Sequence, residues 1–347
     1  MNKILVCGVF DFKDMATGGQ PVKTRELFYA LRNKFGEKDV DYLELLNWKK
    51  HPIALFCDFF KKSRNADGII MLPAHNGVLV FSYLLLLARA MYHCNIFYDV
   101  IGGWLPDLLK TSPRLAKRLL KFNGIWTETS SMKNALNGMG FNNVTVLNNF
   151  KTLTSLQENE LASLYSKPYR LCTFSRIMEE KGIEDAINAV TEINESAHEV
   201  VYELDNYGPI DERYASRFSE VMDKAKPYIR YKGCARPEQS VETIKDYFAL
   251  LFPTHFFTEG IPGTIIDAYC AGVPVISAKW QNSADVVQDG KTGYLYKFND
   301  YDTLVKVLSD IKDNPDMIIS LKKECVSYSH SYTPEVVIEQ IVELIKM

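Results

Sequence analysis

The stretch Phe256–Ala271 reads Phe-Phe-Thr-Glu-Gly-Ile-Pro-Gly-Thr-Ile-Ile-Asp-Ala-Tyr-Cys-Ala and lies between two apolar runs, Phe248–Pro253 and Val273–Ser277. Its first half is rich in Gly and Pro and predicts a loop, and its apolar second half predicts a helix followed at once by a strand. Strand, loop, helix and strand in this order form a βαβ unit of a parallel sheet. The N-terminus of such a helix suits a phosphate, and the acids Glu259 and Asp267 suit neutral hydroxyls. A sugar nucleotide carries both groups.

Short apolar runs alternate with helical patterns along the whole chain, which predicts an α/β fold with parallel sheets. In the first half, strands are predicted at Lys3–Val9, Val40–Leu45, Gly68–Leu72, Asn95–Val100, Gly124–Thr127 and Val144–Leu147. In the second half, they are predicted at Tyr169–Phe174, Glu199–Asp205, Ile229–Gly233, Leu250–Pro253 and Val273–Ala278. The segment Gln288–Gly293 is interpreted as a turn. A chain of 347 residues exceeds a usual single core, so we expect two domains with one sheet each.

Four shorter motifs follow predicted strands, where the loops of parallel sheets bind ligands. They are Gly18-Gly19-Gln20, Arg176-x4-Lys181-Gly182, Tyr207-Gly208-Pro209 and Tyr231-Lys232-Gly233. Paired glycines let the backbone approach a ligand closely. An Arg and a Lys together can stabilise a departing diphosphate, since Arg binds two oxygens and Lys supplies a point charge. The adjacent Glu179 and Glu180 leave a surface salt-bridge cluster open as the alternative.

With the Glu259 loop, these motifs follow one another in the order found in the GT-B glycosyltransferases of the retaining family 4, also called glycosyltransferase group 1. Over nearly its whole length the chain resembles this family, in particular its bacterial polysaccharide-type members. The loop is similar to the family's Glu-x7-Glu signature, with Asp267 as the second acid. The resemblance implies two Rossmann-like domains that face a central cleft. They are an acceptor-binding domain over residues 1–165 and a donor-binding domain over residues 166–333, with a final helix, 334–347, that packs back onto the first.

The resemblance also implies roles for individual donor-site residues. Arg176 and Lys181 would bind the diphosphate, and Glu259 would bind hydroxyls of the donor sugar; these three are the candidate catalytic residues. Backbone groups of the helix entrance and of glycines in the other motifs would contact the donor: Gly18, Gly19, Gly208, Gly233, Gly260, Ile261, Pro262, Gly263 and Thr264. Asp267 would bind the ribose. Because Thr264-x-x-Asp267 also matches a capping box, a purely structural role for Asp267 remains open.

Candidate acceptor-site residues follow strands of the first half. His75 comes just after the predicted strand Gly68–Leu72, and its imidazole can donate to a hydroxyl or a phosphate. Gly102, Gly103 and Trp104 end the next strand, and Glu128 follows the one after it. A loop histidine with a purely structural role is the alternative for His75.

The composition of the chain limits which metals, surfaces and macromolecules we expect it to bind. Seven scattered cysteines with no Cys-x2-Cys pair argue for reduced thiols and against a zinc site. Residues 1–150 carry 19 Lys/Arg against 12 Asp/Glu, and aromatic and basic residues interleave at Trp48–Lys50, Phe56–Arg64 and Arg114–Phe122. Such segments suit an anionic membrane surface, and helices with an apolar core face and a basic solvated face explain them equally well. The chain is acidic overall and has no recognition motif for nucleic acid, so we expect no nucleic-acid partner.

Together with these observations, the resemblance implies a retaining, metal-independent hexosyltransferase that needs no cofactor and uses a UDP- or GDP-sugar as donor. The expected acceptor is a glycan or a polyprenyl-linked hydroxyl in bacterial surface polysaccharide biosynthesis. The expected location is cytoplasmic, with peripheral contact to the inner face of the plasma membrane. Two alternatives remain: a sugar-nucleotide epimerase, and a catalytically silent GT-B scaffold or binding protein. The second is suggested by Asp267 and by Ile101, which stands where many family members carry His.

Overall fold

A computed structural model of the chain describes residues 3–14, 18–162 and 165–346. The chain divides into two compact units. The first contains residues 1–152 together with 331–347, and the second contains residues 153–330. Residues 153–165, which the sequence analysis placed in the first domain, therefore belong to the second unit.

The first unit is built on a six-stranded parallel sheet with the strand order β2-β1-β3-β4-β5-β6. Its strands are β1 Ile4–Gly8, β2 Val40–Glu44, β3 Gly68–Met71, β4 Asn95–Asp99, β5 Gly124–Thr127 and β6 Val144–Val146. Its helices are α1 Gly19–Phe35, α2 Pro52–Ser63, α3 His75–Tyr92, α4 Leu105–Thr111, α5 Pro113–Leu119 and α6 Ser130–Gly138. Strands β1, β3 and β5 are buried at every position because helices cover both faces of the sheet, as the continuous apolar runs predict.

At one edge of this sheet, side chains occupy backbone groups of the edge strand β2. At the edge strand β2, the N–H of Tyr42 donates to the Asp41 carboxylate at 2.8 Å. Lys62 donates to the Tyr42 carbonyl at 2.5 Å and to Asp41 at 3.3 Å, and its ammonium lies 5.1 Å from the centre of the Tyr42 ring. Occupied backbone groups and a lysine on the edge disfavour pairing with a strand of another chain.

The second unit contains a second six-stranded parallel sheet, ordered β12-β11-β10-β7-β8-β9. Its strands are β7 Tyr169–Phe174, β8 Tyr202–Tyr207, β9 Ile229–Tyr231, β10 Ala249–Phe252, β11 Val275–Ala278 and β12 Gly293–Tyr296. Its helices are α7 Ile183–Ala197, α8 Ala215–Lys224, α9 Ser240–Ile244, α10 Gly263–Cys270, α11 Ser283–Val286, α12 Tyr301–Asp313, α13 Asp316–Ile319 and α14 Lys322–Ser329. Short 3₁₀ turns occupy Glu158–Glu160, Glu179–Lys181, Pro237–Gln239 and His330–Tyr332.

The last helix, α15 Pro334–Lys346, returns to the first unit and packs on α1. Its apolar stripe joins the core formed by β1 and α1; the stripe consists of Val337, Ile338, Ile341, Val342 and Ile345. Residues from the two ends of the sequence therefore share one hydrophobic core.

The sequence analysis did not predict strand β12, which the structure contains. The turn before it is present, since the N–H of Gly290 donates to the carbonyl of Gly293 at 2.8 Å. The strand begins directly at Gly293, which pairs with Val275 of β11. A Cβ at position 293 would lie 1.9 Å from the Val275 carbonyl oxygen, so only glycine allows this pairing. The glycine that signals a turn in the sequence is also the first residue of the strand.

A buried lysine links α14 to the sheet of the second unit. Lys322 is 2% exposed and donates to the carbonyls of Tyr247 at 3.1 Å and Gly272 at 3.2 Å. Its ammonium lies 4.8 Å from the centre of the Tyr165 ring. Burial lowers the pKa of Lys322 from 10.5 to about 8 because the charged form loses its hydration.

This shift predicts a pH-dependent contribution to stability. Between pH 8 and 10.5 the unfolded chain keeps a proton on Lys322 that the folded chain has lost, so the free energy of unfolding rises with pH. We expect the free energy of unfolding of the wild type, relative to that of Lys322→Met, to rise by on the order of 3 kcal/mol across this window. Urea denaturation at several pH values measures it. Lys323→Met is the matched control, since Lys323 is exposed. A difference that stays constant with pH for Lys322→Met would contradict the prediction.

Candidate functional site

The candidate donor residues of the second unit lie beyond the carboxyl ends of β7, β8, β9 and β10. Lys181 ends the 3₁₀ turn after β7, and Gly182 follows in the left-handed region with φ 65°. A Cβ on Gly182 would lie 1.9 Å from the carbonyl oxygen of Pro253, directly after β10. Only glycine permits this approach, which brings the loop after β7 against the loop that carries Glu259.

Lys181 and Glu259 form an ion pair that connects these two loops. Both side chains are partly open to solvent, at 17% and 16% exposure. Thr254 donates to the same carboxylate at 3.1 Å, and the Asn282 amide donates to the backbone carbonyl of Glu259 at 2.7 Å. The Lys181 ammonium also lies 5.0 Å from the centre of the Phe256 ring. A cation and a carboxylate are thus fixed side by side, where they can bind a phosphate and a hydroxyl of one ligand.

Arg176 is positioned by the pairing of two loops beyond their strands. The N–H of Ile177 donates to the carbonyl of Pro209 at 2.9 Å, and the N–H of Asp211 donates to the carbonyl of Ile177 at 3.0 Å. The Arg176 guanidinium is 49% exposed, and its Nη1 lies 3.8 Å from Asp211 Oδ2. Arg176 therefore stands beside the loop after β8, whereas Lys181 contacts the loop after β10.

Two glycines predicted to contact the donor are neighbours. The N–H of Gly208 donates to the carbonyl of Gly233 at 2.9 Å, and the Tyr231 hydroxyl donates to the carbonyl of Gly208 at 2.8 Å. Gly208 has φ 137°, and a Cβ there would lie 1.9 Å from the Ser175 carbonyl oxygen. The Tyr207-Gly208-Pro209 and Tyr231-Lys232-Gly233 motifs thus form one site next to the residue that precedes Arg176.

The helix α10 begins directly after the Glu259 loop. Gly260 and Ile261 are buried, and Pro262, Gly263 and Thr264 are half-buried at the helix entrance. The N-cap is Pro262, so Thr264 lies inside the helix and the capping box considered from the sequence is not formed. The Thr264 hydroxyl is buried and has no hydrogen-bond partner within residues 3–14, 18–162 and 165–346.

Asp267 lies in the interior of α10 and is buried. Its carboxylate accepts a hydrogen bond from the Ser240 hydroxyl of α9 at 2.8 Å. Ser240 was not identified from the sequence, since nothing in the pattern relates α9 to α10. The ribose contact of Asp267 stays a prediction.

In the first unit, the predicted residues follow β1, β3, β4 and β5, which are adjacent in the sheet. Gly18 is the N-cap of α1 and Gly19 its first residue, with open space where a Cβ would lie on Gly19. Gln20 donates to the Leu72 carbonyl at 3.1 Å and connects this helix to the end of β3. The start of α1 therefore lies beside the loop that carries His75.

His75 and Trp104 meet at the ends of β3 and β4. Their ring centres are 5.3 Å apart, and the Trp104 indole donates to the Ile101 carbonyl at 2.8 Å. His75 is the first residue of α3. Gly102, with φ 79°, and Gly103 form the bend between β4 and α4. The imidazole and the indole thus border one glycine-containing loop.

A buried ion cluster at the same sheet edge was not identified from the sequence. The Lys23 ammonium lies 2.9 Å from Asp99 Oδ1 and 2.9 Å from Glu128 Oε1, and it donates to the Val100 carbonyl at 3.4 Å. All three charged side chains are buried. Lys23 therefore joins the start of α1 to the loops after β4 and β5.

The cluster contains one cation and two carboxylates in a buried position. Burial lowers the pKa of Lys23, but Asp99 and Glu128 outweigh this effect and raise that pKa above its usual value. Burial raises the pKa of Asp99 to about 6, against the opposing effect of Lys23. Lys23 is thus held charged by its two partners. A sequence signal existed, since Asp99 and Glu128 each end an apolar strand run, but the sequence does not show which cation joins them.

Removing Lys23 should destabilise the first unit strongly. Lys23→Met leaves two buried carboxylates without their cation, and we expect a loss of about 3–5 kcal/mol in the free energy of unfolding, measured by urea denaturation. Lys34→Met is the matched control on the same helix, because the pair of Lys34 with Glu339 is exposed and should contribute less than about 1 kcal/mol. If both variants lost the same free energy of unfolding, Lys23 would not stabilise the first unit through the buried ion cluster.

The sequence of the second unit matches a known family. A family model described as "Glycosyl transferases group 1" matches residues 157–331, which is just over half of the chain. WcaL of Salmonella typhimurium, a glycosyltransferase that its name assigns to colanic acid biosynthesis, is 22% identical over 187 residues. This match covers 52% of the present chain and 45% of WcaL, so the chain spans less than half the length of that relative.

Solved structures show the same fold over the full chain. The structure of Anabaena Alr3699/HepE in complex with UDP and glucose superposes with a TM-score of 0.75 at 13% identity and covers 100% of both chains. Sucrose-phosphate synthase from Thermosynechococcus elongatus superposes with a TM-score of 0.78 at 14% identity and covers 100% of this chain and 98% of that one. At these identities the likeness concerns the fold.

Proposed function

We propose, since the chain belongs to the group 1 glycosyl transferases and has the GT-B fold, that it transfers a sugar from a nucleoside-diphosphate donor to a hydroxyl acceptor. The Lys181–Glu259 pair carries this proposal. It places one cation and one carboxylate at the carboxyl ends of adjacent strands, within the residues that match the family. The structure of HepE with UDP and glucose supports a nucleotide-sugar donor for proteins of this fold.

In the proposed mechanism, Arg176 and Lys181 stabilise the negative charge that develops on the departing diphosphate. Glu259 holds hydroxyls of the donor sugar, and Asp267 holds the ribose. Gly263 and Thr264 lie in the first turn of α10, where N–H groups favour a phosphate. The buried Thr264 hydroxyl is a further donor at this position.

Transfer would proceed with retention at the anomeric carbon. The bond from the anomeric carbon to the diphosphate oxygen breaks, and the acceptor oxygen bonds to the same face of the sugar. The acceptor proton passes to the departing phosphate oxygen, so no enzyme nucleophile is needed and the protein supplies orientation and charge stabilisation. The protein cations neutralise the leaving group, so the reaction should not require a metal ion.

Replacing the paired cation should remove most of the activity. We expect Lys181→Gln to lower the transfer rate by about 10²- to 10³-fold, since a donor to the developing charge is lost. The assay measures nucleoside diphosphate released from the UDP- or GDP-sugar that most stabilises the wild type in a thermal shift screen. Activity should persist in EDTA. Lys226→Gln, which removes an exposed lysine of the same unit, is the control and should keep full activity.

The same assay separates the alternatives. An epimerase would convert the donor to a new sugar nucleotide without an acceptor, and a silent scaffold would bind neither UDP nor GDP. Nuclear magnetic resonance of the product gives its anomeric configuration, and inversion would contradict the retaining mechanism. Unchanged turnover in Lys181→Gln would contradict the role of the ion pair.

The proposed acceptor is a glycan or a polyprenyl-linked hydroxyl used in bacterial surface polysaccharide assembly. The name of WcaL, which refers to colanic acid biosynthesis, supports this class. His75, Gly102, Gly103 and Trp104 are the proposed acceptor-side residues, whereas Glu128, which was also predicted there, is buried against Lys23. Their loops follow adjacent strands of the first unit.

A basic and apolar surface on the first unit supports contact with an anionic membrane. On α3, the exposed side chains of Tyr83, Leu87 and Met91 repeat every four residues and form one stripe. The helix packs between α2 and α5. On α2, Ile53 is 78% exposed, and exposed basic residues lie on or directly after the two helices that flank α3: Lys61, Arg64, Arg114, Lys117 and Lys121. No helix within the described ranges is long and apolar enough to cross a bilayer.

Of the residues that suggested a membrane surface in the sequence, the basic ones named above are exposed, whereas several of the aromatic ones are not. Phe59 and Phe122 are buried in the core, and Trp48 packs on Phe81 with ring centres 5.6 Å apart. Lys62 is held on the edge strand by Tyr42. These aromatic residues pack in or on the core, as the alternative interpretation predicted. The proposed membrane surface consists of the α3 stripe and the exposed basic residues of the flanking helices.

This surface predicts salt-sensitive binding to vesicles that contain phosphatidylglycerol. Replacing Leu87 and Met91 together by Gln should weaken cosedimentation because apolar side chains that enter the interface are lost. Lys117→Gln with Lys121→Gln should weaken it through charge, and only for anionic vesicles. Lys224→Gln with Lys226→Gln is the control in the second unit. Binding that is equal for all variants would contradict the proposed surface.

A further inference from the structure

Asp211 is a carboxylate placed beside the proposed diphosphate-binding arginine. Its Oδ2 lies 3.8 Å from Arg176 Nη1. Arg213 also holds this carboxylate, with Nε 3.0 Å from Oδ1 and Nη2 3.3 Å from Oδ2. Asp211 is therefore shared by two guanidinium groups, of which Arg176 is half-exposed and Arg213 is largely exposed.

The backbone fixes the position of Asp211 independently of these ion pairs. The N–H of Asp211 donates to the Ile177 carbonyl at 3.0 Å, and the N–H of Ile177 donates to the Pro209 carbonyl at 2.9 Å. Ile177 and Ile210 form a parallel bridge that continues the pairing of β7 and β8. A change of the Asp211 side chain leaves these main-chain contacts in place.

Asp211 is ionised at neutral pH. Hydrogen bonds from the Arg213 side chain, and then from its backbone N–H, hold the pKa of Asp211 below its usual value. A ligand diphosphate bound to Arg176 would therefore lie within a few ångströms of a fixed negative charge. Such a charge weakens the binding of an anion, and it competes with that anion for the guanidinium.

We propose that Asp211 limits the affinity of this site for the nucleoside diphosphate by competing with it for Arg176. The inference rests on the proposed function, in which Arg176 binds the diphosphate. Its consequence is faster release of the nucleoside diphosphate that remains after sugar transfer. Asp211 is thus a positioning residue, which acts on the ligand through Arg176.

The test compares a nucleoside diphosphate with its nucleoside. Asp211→Asn keeps the shape of the side chain and removes its charge. We expect UDP, or GDP if the wild type prefers it, to bind about three- to tenfold more tightly, because one repulsive charge at this distance is removed. Uridine or guanosine, which lacks phosphate, should bind equally to both proteins. The gain should shrink in 1 M salt, which screens the charge.

Two controls separate this effect from a structural one. Glu212→Gln removes the same charge from the next, exposed residue and should change the UDP affinity much less. In an Arg176→Gln background, the gain from Asp211→Asn should fall, because the competition it relieves is absent. Isothermal titration gives the diphosphate affinities, and competition gives those of the nucleosides.

The outcomes distinguish this inference from the proposed function. If the wild type binds UDP or GDP and Asp211→Asn leaves that affinity unchanged or lowers it, the inference is wrong and the proposed function stands. An equal change for the diphosphate and the nucleoside would also overturn it, since the effect would then be on loop structure. If the wild type binds neither diphosphate, the proposed function fails and this inference fails with it.

Discussion

The arrangement of the candidate donor site depends on the approach of Gly182 to the Pro253 carbonyl. Positions 181 and 259 are 78 residues apart in the sequence. The adjacent strands β7 and β10 bring together only the points where the following loops begin. The missing side chain at position 182 lets the turn after β7 lie directly on the chain after β10. Lys181 then reaches Glu259, and Thr254 and Asn282 complete the surroundings of that carboxylate. Adjacent strands of a parallel sheet end close together, but the loops that follow them can diverge. Here a single glycine keeps the two loops in contact, and one charged site results.

Most of the fold was predictable because buried parallel strands are continuous apolar runs. Strands such as β3 and β10 have no polar face that could confuse the pattern. Strand β12 was not predicted because it lies at the sheet edge, is short and only half-buried, and begins at a glycine that also closes a turn. The division between the units was placed later in the chain than the structure has it, since the polar segment 153–165 gives no sign of which core it joins.

The position of the candidate site was predictable in part. Motifs after strands predicted that Arg176, Lys181 and Glu259 lie on loops at one edge of a sheet, since such loops meet there, and their roles stay predictions. Lys23 was missed because its two partners follow separate strands, and only the tertiary structure shows that α1 turns this lysine inward. For a related reason, the sequence did not show whether the aromatic residues of α2 face the core or a membrane. A helix that mixes Phe and Lys does not reveal from sequence alone which face the sheet will cover, and Phe59 proved to lie in the core.

The return of α15 to the first unit has a consequence for the order of folding during synthesis. Residues 153–330 are continuous and can complete their core as soon as they have been made. The apolar surface of α1 and β1 is covered only after residues 334–346 have been made, although α1 precedes them by about 300 positions in the sequence. The first unit can therefore complete its core only after the second has been made, and until then the apolar surface of α1 and β1 stays uncovered.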